Sequence, residues 1–498
     1  MPPMLPAHFL QLLGEMGLSR WGAWYSCRQG VNMEVDMGNV ENASAATRTT
    51  KTVKSLPMPK VWAFAVGQFG WALLSGIISN WLVYFYQPDK QTVFVPQGLA
   101  VLGVVTVVGG ITAFARFFDA FVDPAVASLS DRCTSKSGRR MPFLKFAALP
   151  LALVTVLVFW SPINDTSWIN GAFLFVTVIG YYIALTFYCT PYNALIAELG
   201  HDSKQQLTIS TAISFTWVAG TAIAYVAPVI WAGFVPGLGR VNAIRLTFTI
   251  MAAIAFVCML VPPLTIKERD YVNSQPTSES TIESLKQTFG DGEFRKFVCS
   301  DVVYWVAITT FQTGLPFFVT SLLKLPETTT TIYFVLMTAV SVLFYMPVNV
   351  LANRVGKKRI LLVAFVIFTC AFAFAGALGS GLLAAIPPMA QGLILSIVGA
   401  IPMAAFGILP QAIVANIADA SSKTTGQDRQ GMFYAARTFA MKMGQSVAML
   451  LFTGVSTIGM ASGAGYRIAA VCAAVLCGIG GGVFAFYNER KVLDVLES

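Results

Sequence analysis

Apolar residues in this chain gather into long runs separated by short polar segments. A helix that crosses a bilayer needs roughly 20 mostly apolar residues. Runs of that kind fall near 61–86, 97–128, 143–161, 168–198, 208–233, 243–266, 297–322, 328–353, 360–379, 382–418, 431–459 and 464–487. The pattern therefore predicts an all-α membrane protein of twelve spans. The second, fourth and tenth runs are too long for one crossing and must extend beyond the hydrocarbon. Pro191, Gly407 and Pro410 lie inside runs, where neighbouring helices can satisfy freed backbone groups.

The segments between runs alternate in charge. Arg132, Lys136, Arg139, Arg140 and Lys145 follow the second run, and Arg354, Lys357, Lys358 and Arg359 follow the eighth. The opposite side offers only Lys90, Arg240, Arg245, Lys324 and Arg467. By the positive-inside rule both termini are expected in the cytoplasm. The expected organisation is a flexible cytoplasmic tail at 1–60, a six-helix bundle at 61–266, a cytoplasmic linker at 267–296, a second bundle at 297–487 and a short cytoplasmic tail at 488–498. A start codon assigned too early is an equal account of the first segment, since Met33, Met37 and Met58 all precede the first run. The two bundles echo each other. Ala-Leu-Ile-Ala-Glu-Leu (194–199) ends the fourth run and Ala-Ile-Val-Ala-Asn-Ile (412–417) ends the tenth. Duplicated bundles are the repeat logic of secondary transporters.

Composition agrees with a lipid-facing surface. Of 498 residues 56% are apolar and 11% charged, against about a quarter charged in soluble domains; the mean hydropathy is +0.67. The net charge of +9 sits in short loops, not on a polar domain, so no nucleic-acid partner is expected. Eight cysteines without Cys-x-x-Cys spacing indicate neither a disulfide framework nor a zinc site. No Gly-x-x-x-x-Gly-Lys-[Ser/Thr] loop is present, which excludes ATP as the energy source by that route.

Charge inside the runs carries the chemistry. Arg116, Asp119 and Asp123 are spaced by three and four, which puts them on one helical face. Each costs roughly 2.5–3.5 kcal/mol at membrane depth, so they must face a polar interior. One arginine cannot neutralise two carboxylates. The surplus calls for a proton, a metal cation or a second base, and Lys442 in the eleventh run is the candidate. Asp301 is read as an interfacial residue, and Glu198 and Asp419 as ordinary salt-bridge partners at span ends.

Arg116-Phe-Phe-Asp119-Ala-Phe-Val-Asp123-Pro124, Ser130-Asp131-Arg132, Ser137-Gly138-Arg139-Arg140-Met141-Pro142-Phe143, Thr190-Pro191-Tyr192-Asn193 and Lys442-Met443-Gly444-Gln445-Ser446 together resemble the signature of the glycoside–pentoside–hexuronide:cation symporters of the major facilitator superfamily. The resemblance runs from about Val61 to Lys491. It implies the major facilitator fold and cation-coupled uptake by alternating access. It further implies that Asp119, Asp123 and Thr186 hold the coupling cation with Lys442 as charge partner, and that Asp131, Arg132, Arg139 and Arg140 belong to a cytoplasmic gate. Arg116 is the further charge partner. Three charges that contact sugar in melibiose-type members are replaced here by Ala72, Cys189 and Ala212, and Val122 stands in place of an amide.

The expected function is therefore symport of a neutral carbohydrate or glycoside with a proton or sodium ion, the lost amide leaning toward the proton. No cofactor or resident metal is called for. The protein is expected to work as a monomer in the plasma (inner) membrane. Trp71, Asn80, Tyr192, Asn193, Trp217 and Gln312 are the candidate cavity residues, with Trp305, Gln68 and Trp81 beside them. A lysolipid or amphiphile transporter of the same superfamily is the alternative. An intramembrane prenyltransferase using Asp119 and Asp123 on magnesium pyrophosphate is the remote one, disfavoured by twelve spans and no second acidic motif.

Overall fold

The computed structural model describes residues 55–497 apart from 88–92, 102, 104, 132, 134, 136, 201–202, 273–287, 426–429 and 460–461. Within them twelve long helices run in chain order: α1 Met58–Tyr86, α2 Val107–Asp131, α3 Met141–Val158, α4 Trp168–Leu199, α5 Ser203–Leu238, α6 Arg240–Thr265, α7 Gly292–Phe317, α8 Thr328–Val355, α9 Lys357–Ala377, α10 Pro388–Thr425, α11 Gln430–Val455 and α12 Ala464–Phe484. Residues 489–497 form a further helix, α13 Glu489–Glu497. Ten of the twelve are long and apolar enough to cross a membrane by length and composition. The two outside that set are α2 and α11, which carry Arg116, Asp119, Asp123, Arg437 and Lys442.

The two halves repeat one set of packings. In the first, α1 packs on α5 and α6, α2 on α4, and α3 on α4 and α6; in the second, α7 packs on α11 and α12, α8 on α10, and α9 on α10 and α12. Small residues let the backbones approach. Gly70 of α1 lies against the Ala255 carbonyl of α6, and Gly220 of α5 against the Phe69 carbonyl of α1. Between the halves, α2 meets α11 and α5 meets α8, the two seams being related by the same pseudo-symmetry.

The same symmetry appears in the caps. Glu268, in a single helical turn after α6, accepts from the N–H groups of Arg139 (2.8 Å), Arg140 (2.9 Å) and Met141 (2.9 Å) at the start of α3. Glu489, opening α13 after α12, accepts from Lys357 (2.8 Å) and Lys358 (3.0 Å) at the start of α9. Each carboxylate satisfies helix N-terminal donors that have no partner within their own helix. Each faces a glycine with positive φ, Gly138 at 113° and Gly356 at 96°.

The second run differs from its expected extent. The apolar pattern predicts one span from 97, whereas the helix begins at Val107 and an antiparallel bridge pairs Val101 with Val105 before it. Thr106 caps the helix by accepting from the Gly109 N–H. At the other end of the chain, α10 continues past Asp419 to Thr425, and α13 packs on it.

Candidate functional site

The charges of α2 and α11 meet at the seam between the halves. Lys442 Nζ lies 2.6 Å from Asp119 Oδ2 and 2.5 Å from Asp123 Oδ2. The remaining carboxylate oxygens turn to α4: Thr186 Oγ1 donates to Asp119 Oδ1, and Thr190 Oγ1 donates to Asp123 Oδ1 at 3.2 Å. The spacing of four on α2 is thus matched by a spacing of four on α4, giving two Asp–Thr rungs one helical turn apart. The rungs differ in access, since the Asp119 side chain is 4% exposed and that of Asp123 27%. Lys442 spans both, so one residue of the second half neutralises the surplus carboxylate of the first.

One turn farther along the same seam, Arg116 Nη1 donates to Gln445 Oε1 at 2.5 Å and Nη2 to Ser79 Oγ at 3.4 Å. Its guanidinium stacks over the Tyr182 ring at 5.5 Å. On the basic-loop side of the site, the ring of Phe121 meets that of Phe439 edge to face at 5.8 Å.

The other anticipated residues are placed as follows. Arg140 bonds Glu198 (2.6 Å) and Asp131 (2.9 Å), and Arg139 bonds Glu198 (2.8 Å), all within the first half. Arg132 lies outside the described residues. Tyr192 is buried, with its ring stacked on Phe64 at 4.3 Å and its hydroxyl donating to the Phe64 carbonyl, so it packs the first bundle. Trp71 and Trp217 meet edge to face at 4.9 Å. Asn80 is buried with its Nδ2 unpartnered, Gln312 is partly buried, and Asn193 is exposed. Ala72, where the resemblance expects an aspartate, is fully buried, with its Cβ facing Gly220 of α5.

Four groups were not singled out from sequence. Thr190 carries a signal in its spacing from Thr186, which copies that of the two aspartates. Arg437, five residues before Lys442 on α11, was a charge inside a run and could have been flagged. Its partner is Asp301, which is buried within the protein and held in a two-pronged pair at 2.8 and 3.1 Å. Gln445 stands in the Lys442 motif. Glu327, on the loop before α8, had no sequence signal. It accepts from Tyr84 (2.9 Å), Trp231 (3.0 Å) and Arg240 (2.7 Å), which come from α1, α5 and α6 of the other half. Nearby, Tyr225 of α5 stacks on Phe334 of α8.

A sequence model of the family described as MFS/sugar transport protein matches residues 63–479, most of the chain. The chain belongs to that family. It is similar to the inner membrane symporter YicJ of Escherichia coli, at 28% identity over 44% of this chain and 47% of that one. It also resembles the isoprimeverose transporter of Lactiplantibacillus pentosus, at 24% over 54% of each, and the putative glycoside/cation symporter YagG of Escherichia coli, at 29% over 40% and 44%. The match spans about half the length of these relatives. Among solved structures, the nucleoside transporter NupG superposes with a TM-score of 0.62 at 13% identity, covering 86% of this chain and all of that one. A bacterial homologue of the lysosomal transporter Spinster gives 0.61 at 13%, over 88% and 97%. These place the fold in the major facilitator class. Family membership makes the chain a multi-pass transport protein and removes the prenyltransferase reading of Asp119 and Asp123.

Proposed function

We propose that the protein is a cation-coupled symporter of a carbohydrate or glycoside, driven by a proton or sodium gradient and working by alternating access. The observation that carries this reading is the bridge from Lys442 to both Asp119 and Asp123 across the seam between the halves. Lys442 stands in for the coupling ion: its ammonium lies where a cation would meet both carboxylates. An ion that engages Asp119 and Asp123 competes with Lys442 and loosens the tie between the bundles at that seam. Ion occupancy and bundle movement then become one event, which is what coupling requires.

The rest of the molecule supports a carrier caught with one end closed. Glu327 joins the halves at the end away from the basic loops. At the basic-loop end Arg139 and Arg140 pair with Glu198, and Lys357 and Lys358 cap on Glu489, each within its own half. With both termini in the cytoplasm of a plasma (inner) membrane, the end that Glu327 holds together is the outer one. The related symporters named for isoprimeverose and for glycosides favour a carbohydrate solute. A single chain contains both bundles, so a monomer suffices.

The test is uptake into proteoliposomes of a panel of sugars, glycosides and one lysolipid, under imposed proton or sodium gradients, by the unmodified protein and by Asp123→Asn. Gradient-driven accumulation of a sugar that the substitution abolishes is the expected result. Uptake indifferent to both gradient and substitution would refute the coupling, and transport of the lysolipid alone would refute the carbohydrate.

A further inference from the structure

We propose that the basic turn joining α8 to α9 holds the headgroup of one anionic phospholipid, with Arg354 and Arg359 on its phosphate. The site is separate from the α2–α11 seam and requires neither ion coupling nor a solute.

The two halves build their basic loops on one plan and then differ in the acids. In each, a carboxylate after the last helix of the half caps the start of its third helix: Glu268 for α3 and Glu489 for α9. In the first half the basic side chains are then matched, since Arg140 bonds Asp131 and Glu198 and Arg139 bonds Glu198. In the second half both of these acids are replaced by amides. Asp131-Arg132 is echoed by Asn353-Arg354, and Glu198 in Ala-Leu-Ile-Ala-Glu-Leu by Asn416 in Ala-Ile-Val-Ala-Asn-Ile. The packing keeps the equivalence: with its amide oxygen turned toward the loop, Asn416 accepts from Lys357 Nζ at 2.9 Å. An amide takes that bond but does not cancel the charge.

Arg354, Lys357, Lys358 and Arg359 are left as a surplus. Among the described residues the carboxylate bonded to this loop is Glu489, and its bonds go to backbone N–H groups. None of the four side chains forms an ion pair with a described residue. Arg354 and Arg359 are exposed, whereas Arg140 is buried in its pairs.

The helix faces that carry the two arginines identify the partner. On α8, exposed Leu343, Met346 and Val350 lead to Arg354 at spacings of three and four; on α9, Arg359 leads to exposed Val363 and Val366 at four and three. Residues so spaced share one face of a helix. Each helix therefore offers hydrocarbon an apolar stripe that ends in a guanidinium, and Gly356 alone separates the two helices in sequence. A phospholipid fits that outline, with acyl chains along the stripes and phosphate oxygens on the paired N–H groups of guanidinium. The surplus charge selects an anionic headgroup, because the cation of a choline headgroup would be repelled by the same loop. On the reading above this end is cytoplasmic, and that leaflet carries the anionic lipids.

The experiment titrates the full-length protein in detergent with phosphatidylglycerol, with phosphatidylcholine of the same acyl chains, or with glycerol phosphate. Native mass spectrometry counts the bound molecules and melting is followed alongside. Phosphatidylglycerol is expected to bind the unmodified protein more tightly than phosphatidylcholine and to raise the melting temperature, as a ligand of the native state does. R354Q/R359Q should weaken its binding on the order of 25-fold, about five-fold per arginine, which corresponds to roughly 1 kcal/mol for a basic residue near an anionic surface. N353D/N416E, which restores the first-half acids and removes no arginine, should weaken it as well. K145Q/R269Q takes two exposed charges from the first half instead and should leave it unchanged. Equal binding of the two lipids overturns the proposal, and that comparison on the unmodified protein decides even where a variant fails to fold. An equal loss in K145Q/R269Q overturns it in favour of diffuse surface attraction. Glycerol phosphate binding as tightly as the lipid overturns it in favour of a soluble phosphate. No gradient or solute enters these measurements, so their failure and the failure of the symport reading are distinguishable.

Discussion

Glu327, on the loop that enters α8, is held by Arg240 at 2.7 Å across the boundary between the two halves. Tyr84 and Trp231 donate to the same carboxylate, so one side chain of the second half is gripped by three helices of the first. The loop is shaped for this. Lys324 adopts φ of 57°, a left-handed conformation that a non-glycine residue rarely takes. If the bundles alternate, this grip must open in every cycle. Removing it by Glu327→Ala should therefore favour opening at that end. A bond to a charged group is worth about 1.5–3 kcal/mol, so the open fraction should rise on the order of ten-fold or more. The check is the rate at which an impermeant maleimide, added from that side, labels Cys189 between the two α4 threonines, in a background lacking the other cysteines. An unchanged rate would mean the clasp does not limit opening.

The two Asp–Thr rungs make separable predictions. Thr190 contributes a hydroxyl beside Asp123, the more open carboxylate, and it supplies an oxygen where Val122 removes one. Thr190→Val should raise the ion concentration needed for half-maximal uptake several-fold, while Thr190→Ser, which keeps the hydroxyl, should leave it near the unmodified value. Thr186 is buried with Asp119, and loss of its hydroxyl leaves a carboxylate oxygen without its bond at a site closed to water. Thr186→Val should therefore also lower thermal stability, by about 1–3 kcal/mol. Melting in detergent alongside ion titration of uptake separates the two effects. Equal responses from both rungs would contradict the difference in access.

How much of this was legible in the sequence depends on distance along the chain. The helices were readable because each depends on its own apolar run, and α2 announced itself by three charges on one face. Lys442 was visible as a charge in an apolar run, though its reach to both aspartates was not, since 319 residues separate it from Asp123. That Asp301 is paired was not readable, because a run's edge does not reveal which neighbour a residue meets; its partner Arg437 stands on another helix. Glu327 sits in a loop, where an acidic residue carries no signal at all. The apolar pattern puts the start of α2 ten residues early because Val101, Leu102, Val104, Val105 and Val107 are as apolar as any helix.

The paired caps at Gly138 and Gly356 were also beyond sequence, yet they give a sharp expectation. A Cβ at Gly138 would collide with the Glu268 side chain, and one at Gly356 would come within 2.9 Å of Glu489 Oε2. Both positions also have φ in the range that favours glycine. Each substitution carries backbone strain of about 1–3 kcal/mol, and Gly138→Ala should cost more than Gly356→Ala because its Cβ meets the acidic side chain more closely. Melting temperatures of the two variants test the order. Stability unaffected by Gly138→Ala would show that Glu268 can leave its cap freely.

The last expectation concerns how α11 holds Lys442. Arg437 and Lys442 are five residues apart, so on a helix they point roughly 140° from each other. Arg437 ties α11 to α7 of its own half through Asp301, while Lys442 reaches α2 of the other half. Breaking the first pair leaves a buried charge alone, and such losses cost about 3–5 kcal/mol, whereas replacing both partners with apolar groups of similar volume is often neutral. Asp301→Asn and Arg437→Met should thus each destabilise strongly, and the combined Asp301→Leu, Arg437→Met variant should melt close to the unmodified protein. Coupling should separate from stability in that double variant. With α11 free to turn, Lys442 no longer meets both aspartates in a fixed pose, and gradient-driven accumulation should fall while solute exchange across the membrane at equilibrium continues. Full accumulation by the stable double variant would mean that packing alone fixes α11, and that the Arg437–Asp301 pair has no part in setting Lys442.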